Sequence, residues 1–161
     1  LLEVSREVQA EGWSFNKEFH YEMTPDTSKC IPIPSNMLQI DATRNAANAQ
    51  LDVIRRSGKL YDKAKHTYEF NNKVSCDITW LFDWVDLPIP IQDYIICRAS
   101  KIASSRIVGD AGQYEMLAQK EGFARAMAME YECNQGDYTF FGHSGDTNTY
   151  RSYQPYNALY R

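Results

Sequence analysis

Three observations predict an α+β fold: an α-helical bundle with an inserted antiparallel β-rich subdomain and an extended C-terminal arm. Between Leu87 and Tyr138, apolar residues recur at helical spacing on both sides of a Gly109-Asp110-Ala111-Gly112 turn. Between Phe15 and Trp84 the recurrence shifts to every second residue, broken by proline- and glycine-bearing turns. After Tyr138 neither period survives, and polar residues dominate. Residues 1–12 and 87–138 are therefore assigned to the helical bundle, 13–86 to the β-rich insertion and 139–161 to a docking arm.

The first element runs from Leu1 to Glu11, with Leu1, Val4 and Val8 on one face and Gly12 as its stop. So short a helix needs a packing partner, and the hairpin at 87–138 is the natural one. Because the chain opens at Leu1-Leu2 inside a helical pattern, further residues are expected ahead of it. Phe15 to Met23 places Phe15, Phe19, Tyr21 and Met23 opposite Asn16, Glu18, His20 and Glu22, a half-buried strand that only Lys17 interrupts. Pro25, Pro32 and Pro34 confine Thr24 to Ser35 to loop or edge. Alternation returns through Leu38, Ile40 and Ala42. Thr43 to Gln50, rich in asparagine and alanine, reads as an exposed loop, with a short helix as the alternative.

Val53-Ile54 and Leu60-Tyr61 flank Arg55-Arg56-Ser57-Gly58-Lys59, a hairpin with Gly58 at its turn. Thr67 to Phe70 is expected to pair with Lys73 to Trp84 across Asn71-Asn72. In that last stretch Val74, Cys76, Ile78, Trp80, Phe82 and Trp84 alternate with Ser75, Asp77, Thr79, Leu81 and Asp83. It carries the strongest strand pattern in the chain.

Pro88 and Pro90 suit a first helical turn, where a missing N–H costs least. Ile91, Ile95, Ala99, Ile102 and Ile107 then line one face, with Gln92, Asp93, Arg98, Lys101 and Ser105 mostly outside it. Gly109 can take a left-handed cap cheaply, and Asp110 with Gln113 fits a capping box. Along the second helix Met116, Phe123, Met127 and Tyr131 share a side, and Glu121 with Arg125 forms an i,i+4 pair on another.

A chain of 161 residues and formal charge −4 fits one domain and argues against a dedicated nucleic-acid binder. Eleven tyrosines suit extensive interfaces, since each combines an apolar body with a polar tip. The arm is too polar to build its own core. It holds Tyr150, Tyr153, Tyr156, Tyr160 and Arg161, a candidate contact with a neighbouring subunit or partner. Cys30, Cys76, Cys97 and Cys133 are far apart and form no metal or redox motif, so small buried thiols in a reduced, intracellular protein are expected. Neither secretion nor membrane insertion is expected, as signal-peptide and long apolar patterns are missing.

Catalytic patterns are weak. Gly142-His143-Ser144-Gly145 begins a nucleophile-elbow pattern, but Asp146 stands where glycine is needed. His20, His66 and His143 have no metal-ligand spacing. The pairs Asp83/Asp86 and Glu130/Glu132 do not share a face by period, so they read as surface charge. The Gly109–Gly112 turn lacks the lysine and the preceding strand of a phosphate loop. One basic cluster stands out in an acidic chain: Arg55, Arg56, Lys59, Lys63, Lys65 and His66. It is a candidate phosphate contact, against the plainer reading of a solvated hairpin tip or a subunit contact. No cofactor and no metal site is predicted.

Taken together, the ordered segments resemble a known family. Gly12-Trp13-Ser14-Phe15-Asn16, Pro32-Ile33-Pro34-Ser35-Asn36-Met37-Leu38-Gln39-Ile40-Asp41 and Arg55-Arg56-Ser57-Gly58-Lys59-Leu60-Tyr61-Asp62 are similar, in order, to segments of tail tubular protein A of short-tailed bacteriophages. Asp86-Leu87-Pro88, Tyr94-Ile95, Ala99, Met129-Glu130-Tyr131-Glu132 and Gly136-Asp137-Tyr138 resemble that family's two closing helices. The chain departs from the family at its start, where the family has a further helical segment, in Thr43 to Gln50 and after Gly142. The resemblance implies a structural virion protein and not an enzyme. It implies a dodecameric head-to-tail adaptor ring between the portal and the tail nozzle (a tubular protein B-like partner), with tail fibre as a further candidate neighbour. Genomic DNA would leave through the ring without sequence-specific binding, and the protein would assemble in the bacterial host cytoplasm. The alternative weighed against it is a tail-associated glycan or peptidoglycan hydrolase.

Overall fold

The computed structural model describes residues 1–43, 51–107 and 109–136. Its elements are α1 (Leu2–Ala10), β1 (Lys17–Met23), β2 (Met37–Ala42), β3 (Val53–Arg56), β4 (Lys59–Asp62), β5 (Val74–Trp80), a 3-10 turn at Trp84–Asp86, α2 (Ile89–Ile107) and α3 (Ala111–Gln135). Three helices with antiparallel sheets make this an α+β fold. The expected loop at Thr43–Gln50 falls, from residue 44 on, outside the described residues, as does the arm.

β5 is the centre of a three-stranded antiparallel sheet ordered β1-β5-β2. Its alternation is real from Val74 to Ile78, with Val74, Cys76 and Ile78 all buried. It ends at Trp80, however, and Trp84 begins the 3-10 turn. The expected pairing of Thr67–Phe70 with this strand does not form. Thr67 instead bridges to Asp62, and both edges of β5 are occupied by β1 and β2. A local turn loses here to two long-range partners. The β3–β4 hairpin forms as read, with Ser57 (φ 52°) and Gly58 (φ 72°) at its two-residue turn.

β1 departs from its pattern. A register shift between Glu18 and Tyr21, with His20 at φ 59°, inserts a bulge, and the His20 N–H donates to Asp77 Oδ1 at 3.0 Å. Of β1's residues only Met23 is buried, while Phe19 and Tyr21 stay exposed. The edge position and the bulge together defeat the alternation that the residues spell out.

Two clusters of buried side chains result. One joins the sheet to the hairpin through Met23, Ile31, Ile33, Met37, Val53, Leu60, Phe70, Val74, Cys76 and Ile78. The other joins α1 and α2, with one residue of α3, through Val4, Val8, Trp13, Leu87, Ile91, Tyr94, Ile95 and Ala128. The stripe predicted on α2 is buried at Ile91 and Ile95 and partly buried at Ala99 and Ile102, but Ile107 is 82% exposed. Gly109 (φ 70°) and Asp110 separate α2 from α3, and the Asp110 carboxylate accepts from the Gly112 N–H at 3.0 Å as an N-cap.

Candidate assembly surfaces

The helices meet the sheet through buried amides. The Gln9 side chain reads the backbone of Phe82 from both sides: Oε1 accepts from the Phe82 N–H at 2.8 Å and Nε2 donates to the Phe82 carbonyl at 3.2 Å. Asn16 Nδ2 donates to the carbonyls of Gln9 (2.9 Å) and Trp80 (2.8 Å), while its Oδ1 accepts from the Trp13 N–H at 2.8 Å. The Trp13 indole N–H donates to the Val8 carbonyl at 2.7 Å. Gly12 at φ 77° supplies the reversal that lets Trp13 fold back under α1. These contacts give the Gly12-Trp13-Ser14-Phe15-Asn16 run a physical role that periodicity alone does not reveal. Buried amides carry no period, and their partners at Trp80 and Phe82 lie more than sixty residues away.

Charge fastens α3 to the rest. Glu132, almost fully buried, accepts from the Ser14 N–H through both carboxylate oxygens and from Ser14 Oγ, each at 2.9 Å. Arg98 and Arg125 both donate to the Tyr94 hydroxyl, at 3.0 and 2.9 Å, and both approach Glu11, at 3.3 and 3.4 Å. Arg98 also reaches Glu7 at 3.3 Å. Burial pulls the Arg98 guanidinium downward, yet Tyr94, Glu7 and Glu11 outweigh it and hold the group above its ordinary value. The expected Glu121–Arg125 pair along α3 is not made. Glu121 turns to Lys101 of α2 and Arg125 to Glu11, because the inter-helix partners lie on the packed side.

That packed side is not the apolar one predicted. In α3 the buried residues are Ala128 and Glu132, with Ala124 partly buried. Met116, Phe123 and Met127 are 50%, 75% and 59% exposed. Small residues let α3 approach α2 closely, and the large apolar stripe turns outward. α2 has a second stripe of the same kind: Ile89, Ile96 and Ile107 are exposed on the side away from Ile91 and Ile95.

The basic residues Arg55, Arg56, Lys59, Lys63 and Lys65 all lie exposed on or just after the β3–β4 hairpin. Several are engaged within the chain. Arg55 Nη1 donates to the Met37 carbonyl at 3.2 Å, Arg56 lies 4.4 Å over the Tyr61 ring, and Lys63 pairs with Asp52 at 2.8 Å. Nearby, hydrogen bonds from Ser28 and Cys30, helped by Lys59, hold the Asp26 carboxyl below its ordinary value. Tyr150, Tyr153, Tyr156, Tyr160 and Arg161 lie outside the described residues, as do His143 and the Gly142–Gly145 run.

The remaining chemical candidates stay apart. His20 is exposed at the β1 bulge and His66 at the turn after β4, and Asp83, Asp86 and Glu130 face solvent while Glu132 is engaged by Ser14. Among the described residues no group of three or more His, Cys, Asp or Glu could hold a metal. The thiols are less uniform than expected: Cys76 is buried, Cys30 and Cys97 are partly buried and Cys133 is exposed, since it falls on α3's outer side. Burial, with help from Asp77 and Asp41, pushes the Cys76 thiol up to about 12. No described helix is long and apolar enough to cross a membrane.

No curated protein matches the chain. The model of one family, the tail tubular proteins, matches residues 1–138. That span takes in the buried amide junction, the hairpin and all three described helices, so the chain belongs to the tail tubular protein family and is a structural component of the phage tail, built to assemble with other virion parts.

Proposed function

We propose that this protein is a head-to-tail adaptor: copies form a closed ring, dodecameric by family resemblance, between the portal and the tail nozzle. The observation that supports this most is the family match together with a helical hairpin whose large apolar side chains are left outside its own core. A ring needs a heterologous contact of fixed rotation, and stiff helices packed side by side supply one. Genomic DNA passes through the opening. A chain of net charge −4 lines such a path without gripping phosphate, which keeps passage free. The arm carrying Tyr150, Tyr153, Tyr156, Tyr160 and Arg161 docks on the portal or a neighbouring copy. The basic hairpin (Arg55, Arg56, Lys59, Lys63 and Lys65) contacts another subunit or the passing DNA.

Native mass spectrometry and negative-stain imaging of the purified chain, alone and with portal, test the proposal. Rings that form alone or on the portal are the expected result. A chain that stays a lone particle in both conditions overturns it.

A further inference from the structure

We propose that the outward stripes of α2 and α3 form one face, and that its occupant is a second copy of this chain. The inference rests on the ring reading and names the surface that closes it. On α3, Met116 and Phe123 are seven residues apart and Met127 follows four later. On α2, Ile89 and Ile96 are likewise seven apart. Such spacing keeps the side chains on one line along each helix, the pattern that receives another helix rather than a strand or a flat surface.

The extent fits as well. Ile89, Ile96, Ile107, Met116, Phe123 and Met127 are each between 44% and 82% exposed. Side chains of that size leave on the order of 800 Å² open to solvent, one partner's share of a standard interface. The face also carries both signs. Lys120 sits within the α3 stripe and Asp93 beside the α2 stripe, and neither has an ion-pair partner among the described residues. In the heterologous contact that a ring needs, these stripes meet a different face of the next copy, and a chain bearing acids and bases alike can answer both charges there. A partner of uniform charge would leave one of the two opposed.

The full chain with photoreactive p-benzoylphenylalanine in place of Phe123, irradiated under ring-forming conditions with portal, tests the assignment. An adduct of twice the chain mass, mapped between two copies, is expected. Separately, Phe123→Asp and Met127→Glu are each expected to lower ring yield about tenfold or more, while the melting temperature of the isolated chain stays unchanged. Tyr21→Asp, on exposed β1, leaves the yield as it is. An adduct confined to the same chain (residues 137–161 covering the stripe) overturns the assignment, as does one made only to portal. Normal ring yield from both α3 variants overturns it too. In each of these cases rings still form, so the adaptor reading stands; the loss of wild-type rings would remove that reading instead.

Discussion

The sheet with its hairpin and the α2–α3 pair solve the burial problem in opposite ways. Around β5, large apolar side chains from every strand and from the Ile31–Ile33 segment converge, and Leu60, Cys76 and Ile78 are essentially inaccessible. Along the 25 residues of α3, only Ala128 and Glu132 are buried, while Phe123 is three-quarters exposed. The first region completes its core within one chain. In the second, α2 buries Ile91, Tyr94 and Ile95 against α1, while α3 is held by ion pairs and small residues and leaves its large apolar side chains exposed. A protein that functions as part of a larger assembly can fold on its own cores and keep an apolar surface for its neighbours.

The two regions differ most in what a truncation costs, and Leu60 is the extreme. Leu60→Ala, deep between the hairpin and the sheet, is expected to cost about 2–5 kcal/mol, whereas Phe123→Ala in the isolated chain costs within about 0.5 kcal/mol. Urea unfolding of both variants checks the contrast, and equal losses would mean that the α3 stripe is packed after all. A smaller effect is expected at Glu132. Glu132→Ala leaves the partly buried Ser14 N–H without this acceptor and removes three hydrogen bonds, for a loss of about 1–3 kcal/mol. Proteolysis of α3 should accelerate in that variant while the sheet keeps its protection in hydrogen exchange.

The smallest effect at neutral pH is expected at Cys76, in the core of the sheet. Its folded-state thiol lies near 12 against an ordinary 9.0, so the unfolded chain ionises first. Stability from this group is intact below about 9 and falls as pH rises toward 12. Cys76→Ala removes that part of the alkaline slope, which denaturant midpoints measured at several pH values will show. With folded protein at mild pH, an alkylating reagent is expected to label Cys133 and spare Cys76.

What could be read from the residues follows the same division. Local chemistry was legible: Gly58 and Gly109 adopt the positive φ their positions demand, Asp110 caps α3, and Val4, Val8, Ile91 and Ile95 are buried as their spacing requires. Periodicity also located the stripe on α3. It could not say whether the neighbour of that stripe belongs to the same chain, because a helix presents the same pattern to its own core and to a partner. Strand partners were equally hidden, as the Thr67–Phe70 segment shows. Adjacency in sequence favoured a hairpin, and long-range pairing of β5 with β1 and β2 prevailed. The amide junction was invisible as a structure, although Trp13 and Asn16 stood in a segment that carried the family resemblance.

Gln9 and Asn16 tie the end of α1 to the strand end at Trp80 and Phe82 through hydrogen bonds that act side by side. A force that tries to slide one core past the other must break them together rather than one after another. That junction therefore resists shear, a useful property for a tail component that must hold its alignment within a larger assembly.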